Sequence, residues 1–286
     1  EGTAVTDFLN PDRIVIGADD HAAGDRLADV YAPLRSAVLI TDPASAETIK
    51  YAANGFLAMK ISFVNAIAAM CEAVGANVDD VVEGIGSDER IGRSFLKPGP
   101  GWGGSCFPKD SKALVKIAAD YGYDFTMMKG VIDVNEEQRR RMVGKVRTAL
   151  GFGPGGGLRG ALVAVLGLTF KAGTDDLRDS PSLTMVRSLL ASGAKVRAFD
   201  PTVGLGAEGT KNASLDGIEL AADAIAAARG GRVLVIATEW PEFAKLDLDE
   251  VAAVMADDAV IVDTRNLLDP AAVRAAGLRY DGVGRP

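Results

Sequence analysis

The sequence predicts an α/β protein in three parts: a remnant of an N-terminal α/β domain, a central long-helix all-α domain, and a Rossmann-like parallel-sheet domain. Three observations predict this. Beyond residue 157, near-continuous apolar runs such as 161–166 and 232–237 alternate with helical patterns, as in a parallel sheet covered on both faces. In the middle third, Ile49, Ala53, Phe56, Leu57, Ile61, Val64, Ala68, Cys71 and Val74 recur at three- and four-residue steps, which makes one long amphipathic helix. Between the two lies Gly151-Phe152-Gly153-Pro154-Gly155-Gly156-Gly157, a linker by composition.

In chain order, residues 13–16 form a short β-branched strand, 21–31 a helix, and 37–40 a second strand ahead of Thr41-Asp42-Pro43. This is too little for a domain, so 1–41 reads as the last units of one cut off upstream. Position 1 is Glu rather than Met, and the chain is expected to be a fragment. The helix from 45 to about 74 would be roughly 45 Å long, enough to join two domains or to form the spine of a dimer. Helices at 78–85, 105–121 and 126–150 complete a central domain over 42–150. The last carries Arg139-Arg140-Arg141 and Arg147, charges suited to a helix C-terminal half. The third domain, 151–286, is expected as strand 161–166, helix 181–191, strand 195–199, helix 219–228, strand 232–237, helix 248–255 and strand 259–262.

Composition excludes several classes. A net charge of −8 without a basic stripe argues against nucleic acid as a partner. Two cysteines and a single histidine, His21, make neither a disulfide framework nor a zinc site, so no metal is expected and a reducing, cytoplasmic setting is the default. No uninterrupted apolar run reaches about 20 residues, so no membrane span is expected.

The chemistry concentrates in Gly99-Pro100-Gly101-Trp102-Gly103-Gly104-Ser105-Cys106-Phe107-Pro108-Lys109-Asp110. Glycines let backbone approach a polar ligand closely, and a helix N-terminus favours thiolate over thiol. Cys106 is therefore the candidate nucleophile, whereas Cys71 on the apolar side of the long helix reads as core. Lys50 and Asn54 are one turn apart on one helix face among apolar neighbours, which places both in a partly buried spot able to donate to an oxyanion. Asp110 is either a catalytic acid or a first-turn complement to the helix dipole. Arg90, Arg93 and Lys97 are either surface charges or phosphate ligands. Gly167-Leu168-Thr169-Phe170-Lys171, at the carboxyl end of the first strand of the last domain, is not GxGxxG, so a dinucleotide is poorly supported there. Lys171, Arg178 and Arg265 remain anion candidates. A cysteine hydrolase would need a base, and His21 has no partner in view.

These residues resemble the UDP-glucose/GDP-mannose dehydrogenase family. The likeness rests on Glu1-Gly2-Thr3-Ala4-Val5 with 7–13, Ala46-Glu47 with Lys50-Tyr51-Ala52-Ala53-Asn54, the cysteine loop, Phe170-Lys171 with 174–182, and Tyr280-Asp281-Gly282-Val283-Gly284-Arg285. The resemblance implies two-step oxidation of a sugar-nucleotide alcohol to a carboxylate with two NAD+, through a Cys106 thiohemiacetal and thioester. It implies that Lys50 and Asn54 hold the developing oxyanion, and that Asp110 serves proton movement and water. Phe95, Leu96, Lys97, Gly99, Gly101, Trp102 and Gly103 would line the sugar and phosphates, with Phe170, Lys171 and Arg265 completing the pocket. Arg90 would reach a neighbouring subunit's substrate, in a homodimer formed through the long central helix. Glu1, Lys109 and Arg178 would meet the NAD. Ser105 and Phe107-Pro108-Lys109 point to UDP-glucose as the sugar. Two alternatives stay open: a dehydrogenase for GDP-mannose or UDP-N-acetylmannosamine, and a non-catalytic nucleotide-sugar-binding and dimerisation fragment. The family's glycine fingerprint is absent from these residues, so the chain alone is expected to be inactive.

Overall fold

The computed structural model describes residues 2–153, 155–203 and 213–285. After a short helix α1 (Ala4–Leu9) that the sequence pattern did not reveal, strands β1 (Arg13–Gly17) and β2 (Ala37–Thr41) pair in parallel, with Ile14 opposite Val38. The crossover between them is α2 (His21–Tyr31), capped by Asp20, whose carboxylate accepts from the Ala22 amide. Helix α3 (Pro43–Val74) starts directly after β2 because Asp42 caps it, accepting from the Ser45 amide at 2.9 Å, with Pro43 opening the first turn. It stops at Gly75, which takes the left-handed conformation at φ 73°.

Helix α3 is flanked by α4 (Val78–Gly86), α5 (Phe107–Asp120) and α6 (Thr126–Ala149). It packs on α5 and α6 through small buried positions, Gly55, Ala58, Ser62, Asn65 and Ala68, which let the helices approach closely. By length and composition alone α3 is apolar enough to cross a bilayer, which corrects the expectation that no segment would qualify. Its buried side is nonetheless occupied by α5, α6 and two polar residues bonded to a loop described below.

The last part of the chain is a six-stranded parallel sheet. Its strands are β3 (Leu162–Leu166), β4 (Lys195–Phe199), β5 (Ile218–Leu220), β6 (Val233–Ile236), β7 (Val260–Asp263) and β8 (Arg279–Gly282), in the order β5-β4-β3-β6-β7-β8. Helices α7 (Pro181–Ala191), α8 (Ala224–Ala228), α9 (Leu248–Val254) and α10 (Pro270–Ala275) cover it. The expected helix over 219–228 is a correction: its first residues are strand β5, and only the five residues of α8 are helical. Two constraints explain this. Glu219 bonds Arg197 across the β4–β5 pair, and Asp223 in extended conformation caps α8 by accepting from the Ala226 amide. Strand β8 and helix α10 were not anticipated; Asp269 and Pro270 start α10.

Strand order reverses between β3 and β6, opening a crevice at the carboxyl ends there. The helical part is fused to this sheet through one apolar core that joins Ala68, Cys71, Met142 and Val146 with Val163, Val165 and Leu183. A polar latch reinforces it: Glu72 of α3 pairs with Arg141 and Lys145 and accepts the Gly284 amide at 2.8 Å. Gly284 sits at φ 69°, and a Cβ there would fall 2.8 Å from the Cβ atoms of Ala68 and Val78. Gly284→Ala is therefore expected to destabilise the protein by about 2–4 kcal/mol. Gly144→Ala, in the interior of α6 with no atom near its added Cβ, is expected to stabilise by about 0.5–1 kcal/mol. Urea unfolding of both variants checks this, and equal midpoints would contradict it.

Candidate active site

Cys106 is the N-cap residue of α5, exposed, with its sulfur 3.6 Å from the Ser105 hydroxyl and no side-chain capping bond. Its sulfur makes no bond to the first-turn amides of α5, and Pro108 in that turn has no N–H to offer. One turn on, the Asp110 amide donates to the Cys106 carbonyl at 2.8 Å, which fixes Asp110 one helical turn from the cysteine. The Asp110 side chain has no exposed surface.

Three donors converge on that carboxylate. From α3, Lys50 Nζ reaches Oδ2 at 2.9 Å, and Asn54 Nδ2 reaches the same oxygen at 2.6 Å. Lys109 Nζ donates to Oδ1. Burial pushes the Asp110 carboxyl up, but the bonds from Lys109, Lys50 and Asn54 outweigh it and hold it at about 2, below the usual 3.8. The bond to Asp110 in turn raises the Lys109 amine. The structure thus brings Cys106, Lys50, Asn54, Lys109 and Asp110 together. It corrects one expectation: the Lys50 side chain is 61% exposed, and the buried member of the pair is Asp110. Lys50 and Asn54 border a cavity of about 480 Å³ that also includes Asp12, Arg13 and Ala46, so the amine is tethered at its base and open to a ligand.

The glycine run is held by side chains that sequence reasoning missed. Asn65 of α3 accepts from the Gly99 amide at 2.8 Å, and Gln138 of α6 donates to the Gly99 carbonyl at 2.7 Å. Asn135 makes a two-way clamp on Trp102, accepting from its amide at 2.8 Å and donating to its carbonyl at 3.1 Å. Arg139 donates to that same carbonyl at 3.0 Å. The Trp102 indole donates to Ser62, and its ring is buried against Phe107. Trp102 is therefore an anchor in the core rather than a lining residue, which corrects its expected role. The signal was present: Ser62 and Asn65 interrupt an otherwise apolar face of α3 three residues apart.

Glycine is required where this loop meets the sheet domain. A Cβ on Gly103 would lie 2.1 Å from the Asp179 carbonyl oxygen, and one on Gly104, at φ 80°, would lie 2.8 Å from the Phe170 ring. Gly99 also lies beside Arg265, but an added Cβ there would meet it only at ordinary contact distance, 3.7 Å. Arg265 follows β7 and spans the crevice, donating to the carbonyls of Ala237 at 2.9 Å and Phe170 at 3.2 Å and pairing with Glu239. Burial lowers its pKa, opposed by Glu239 and Asp263. Leu96, Lys97 and Arg265 share a cavity of about 580 Å³. Phe95, at φ 64°, sets its ring edge-on to Phe107, and the Lys171 amine lies over the Phe170 ring. Two expected residues stand apart. Arg90 is 89% exposed and paired with Asp88, and Arg178 is exposed and paired with Asp176. Glu1 lies outside the described residues.

The six-stranded sheet does not fit a dinucleotide. The Leu168 and Thr169 amides after β3 donate to the buried Asp200 carboxylate at 2.7 and 3.1 Å, so they are turned away from any pyrophosphate. Gly167 is pressed against Thr238. The β1–β2 unit offers two strands and no glycine loop. A pyrophosphate cradle for NAD is thus absent among the described residues.

Over residues 44–137 the sequence matches the central domain of the UDP-glucose/GDP-mannose dehydrogenase family, and over residues 164–270 that family's UDP binding domain. The chain belongs to the UDP-glucose/GDP-mannose dehydrogenase family. It is 47% identical to the UDP-glucose 6-dehydrogenase of Rhizobium meliloti, over all of this chain and 64% of that protein. With UDP-glucose 6-dehydrogenase TuaD of Bacillus subtilis the identity is 42%, over all of this chain and 60% of TuaD. A solved UDP-glucose dehydrogenase from Pyrobaculum islandicum aligns at a TM-score of 0.86 and 37% identity, covering all of this chain and 62% of its own. This dehydrogenase-family chain therefore spans less than two thirds of the length of these relatives.

The Asp110 cluster generates a pH prediction. A carboxyl that titrates near 2 when folded and near 3.8 when unfolded contributes stability that is fully present above 3.8 and lost as the pH falls through 2. Between pH 6 and pH 2 the wild-type protein should lose on the order of 2 kcal/mol more than Asp110→Asn. Parallel slopes in urea unfolding would rule this out.

Proposed function

We propose that this chain is the nucleophile-bearing and nucleotide-sugar-binding part of an NAD-dependent dehydrogenase that oxidises UDP-glucose to UDP-glucuronate. One observation carries the reading: Lys50, Asn54 and Asp110 converge one helical turn from an exposed N-cap cysteine. The family supports NAD as the hydride acceptor. NAD, when bound, would accept the hydrides; the described residues offer no cradle for its pyrophosphate.

The Cys106 thiolate adds to the sugar's C6 aldehyde, forming the C–S bond as the carbonyl pair moves onto oxygen. Lys50 Nζ and Asn54 Nδ2, held in place through Asp110, donate to that oxyanion. At the later thioester, water adds to the same carbon and loses its two protons to solvent, the same donors take up the charge, and the C–S bond breaks to return the thiolate and leave the carboxylate. Asp110 holds its carboxyl too low to be an efficient base near neutral pH. With no exposed surface to meet the water, it acts by fixing the two donors.

Lys97 and Arg265 are the ligands for the UDP phosphates in the crevice, with Phe170 and Lys171 at its edge and Gly99, Gly101 and Gly103 carrying the loop across it. Domain limits near 41 and 150 divide these roles, and a cytoplasmic setting suits the free thiol. The exposed residues Phe56, Phe63 and Met70 lie seven apart on α3 and form an apolar stripe. We assign it to a second copy of this chain, in which the projecting Arg90 of one protomer meets the substrate of the other.

Calorimetry is expected to show UDP-glucose binding this chain while NAD+ gives no heat. Arg265→Ala should weaken UDP binding about ten-fold or more. In the full-length enzyme, about two NADH form per sugar, and Cys106→Ser abolishes that yield. A folded sample blind to UDP and UDP-glucose would end the proposal. Phe63→Glu should halve the mass seen by light scattering without unfolding the chain. An unchanged mass would remove the α3 stripe from the dimer.

A further inference from the structure

Four arginines crowd the second half of α6, and the helix dipole accounts for few of them. Arg141 points to Glu72 of α3. Arg139, Arg140 and Arg147 instead border a cavity of about 350 Å³ between α6 and α7, whose other charged residue is Glu136. Glu136 is paired with Arg139, so Arg140 and Arg147 leave this cavity positive in a chain of net charge −8.

Their donors are not all used. Arg139 and Arg147 each bury an Nε with no acceptor among the described residues, an unfavourable state for a charged donor. Among the described residues, Arg147 otherwise donates to the Ser192 hydroxyl, at 2.7 Å. Arg140 is exposed and has no ion pair among the described residues. On the facing wall, Ser188 and Ser192 of the α7 end donate their hydroxyl protons to carbonyls one turn back. The Ser188 carbonyl also takes the Ser192 amide, so the Ser192 proton can turn to a ligand without leaving an orphan.

We propose that this cavity binds a phosphate-sized dianion. Guanidinium forks match tetrahedral oxyanions bidentately, and the two serine hydroxyls supply further donors. No aromatic side chain lines the cavity, so it has no platform for a nucleotide base. The ligand is inorganic phosphate or the phosphate of a small monoester. The site shares no lining residue with the Lys97–Arg265 crevice. It does reach the glycine loop, because Arg139 also holds the Trp102 carbonyl.

The test is calorimetric titration of inorganic phosphate into the protein without UDP, repeated with glycerol 1-phosphate. One phosphate per chain is expected in the wild type and in Arg265→Ala. Arg140→Ala and Arg147→Ala should each weaken it about ten-fold, the worth of a lost charge-assisted bond. Tighter binding of the ester would assign the site to a monoester; equal or weaker binding would assign it to free phosphate. Arg140 is exposed, so its variant decides even where Arg147→Ala unfolds. No binding up to about 20 mM, or binding that Arg140→Ala leaves intact, overturns the proposal.

Discussion

Asp110 is a fully buried carboxylate that stays charged because Lys50, Asn54 and Lys109 all donate to it. Burying one charge without partners would cost several kcal/mol, and removing one partner of such a pair typically costs about 3–5 kcal/mol. The arrangement solves a geometric problem. Lysine is a long, flexible point charge, and an exposed one wanders. Tying two lysines and an asparagine to an immobile anion fixes their donors while leaving the Lys50 amine open to the cavity. The helix start that places Cys106 also places Asp110, so α3 and α5 are brought into register by the same contact that builds the site.

The glycine loop is the second constraint, and it works between domains. Its carbonyls and amides are gripped from α3 and α6 by Asn65, Asn135, Gln138 and Arg139, while Gly103 and Gly104 lie against Asp179 and Phe170 of the sheet domain. Any larger side chain at Gly103 would drive the two surfaces apart. The shared core and the Glu72 latch hold the remaining distance between the domains. The crevice containing Arg265 and the turn containing Cys106 are therefore parts of one rigid arrangement.

How much of this was legible follows from which interactions are local. Helix α3, the parallel strands with near-continuous apolar runs and the start of α5 are dictated by periodicity and caps, and the pattern located them within a few residues. The cluster around Asp110 was legible because glycine, cysteine, lysine and aspartate crowd one short segment. What escaped depends on partners distant in sequence. Strand β5 is three residues long and exists only because β4 offers it an edge. The anchoring role of Trp102 needs Ser62 and Asn135, forty and thirty-three residues away. The exposure of Lys50 reflects a salt bridge sixty residues distant, where an apolar neighbourhood on its own helix pointed to burial.

Asp200 shows how one sheet topology can serve different ligands. At the end of the strand beside the first, an acidic residue in a dinucleotide-binding fold faces the ribose, and the amides after the first strand face the pyrophosphate. Here the carboxylate has turned inward and takes those amides for itself, together with the Thr169 hydroxyl and the Trp240 indole. The crevice is thereby closed to a pyrophosphate lying along the helix start. It stays open beside β7, where Arg265 and the incoming Lys97 supply positive charge. The loop that carries Lys97 into this cavity continues through the glycine run to the start of α5.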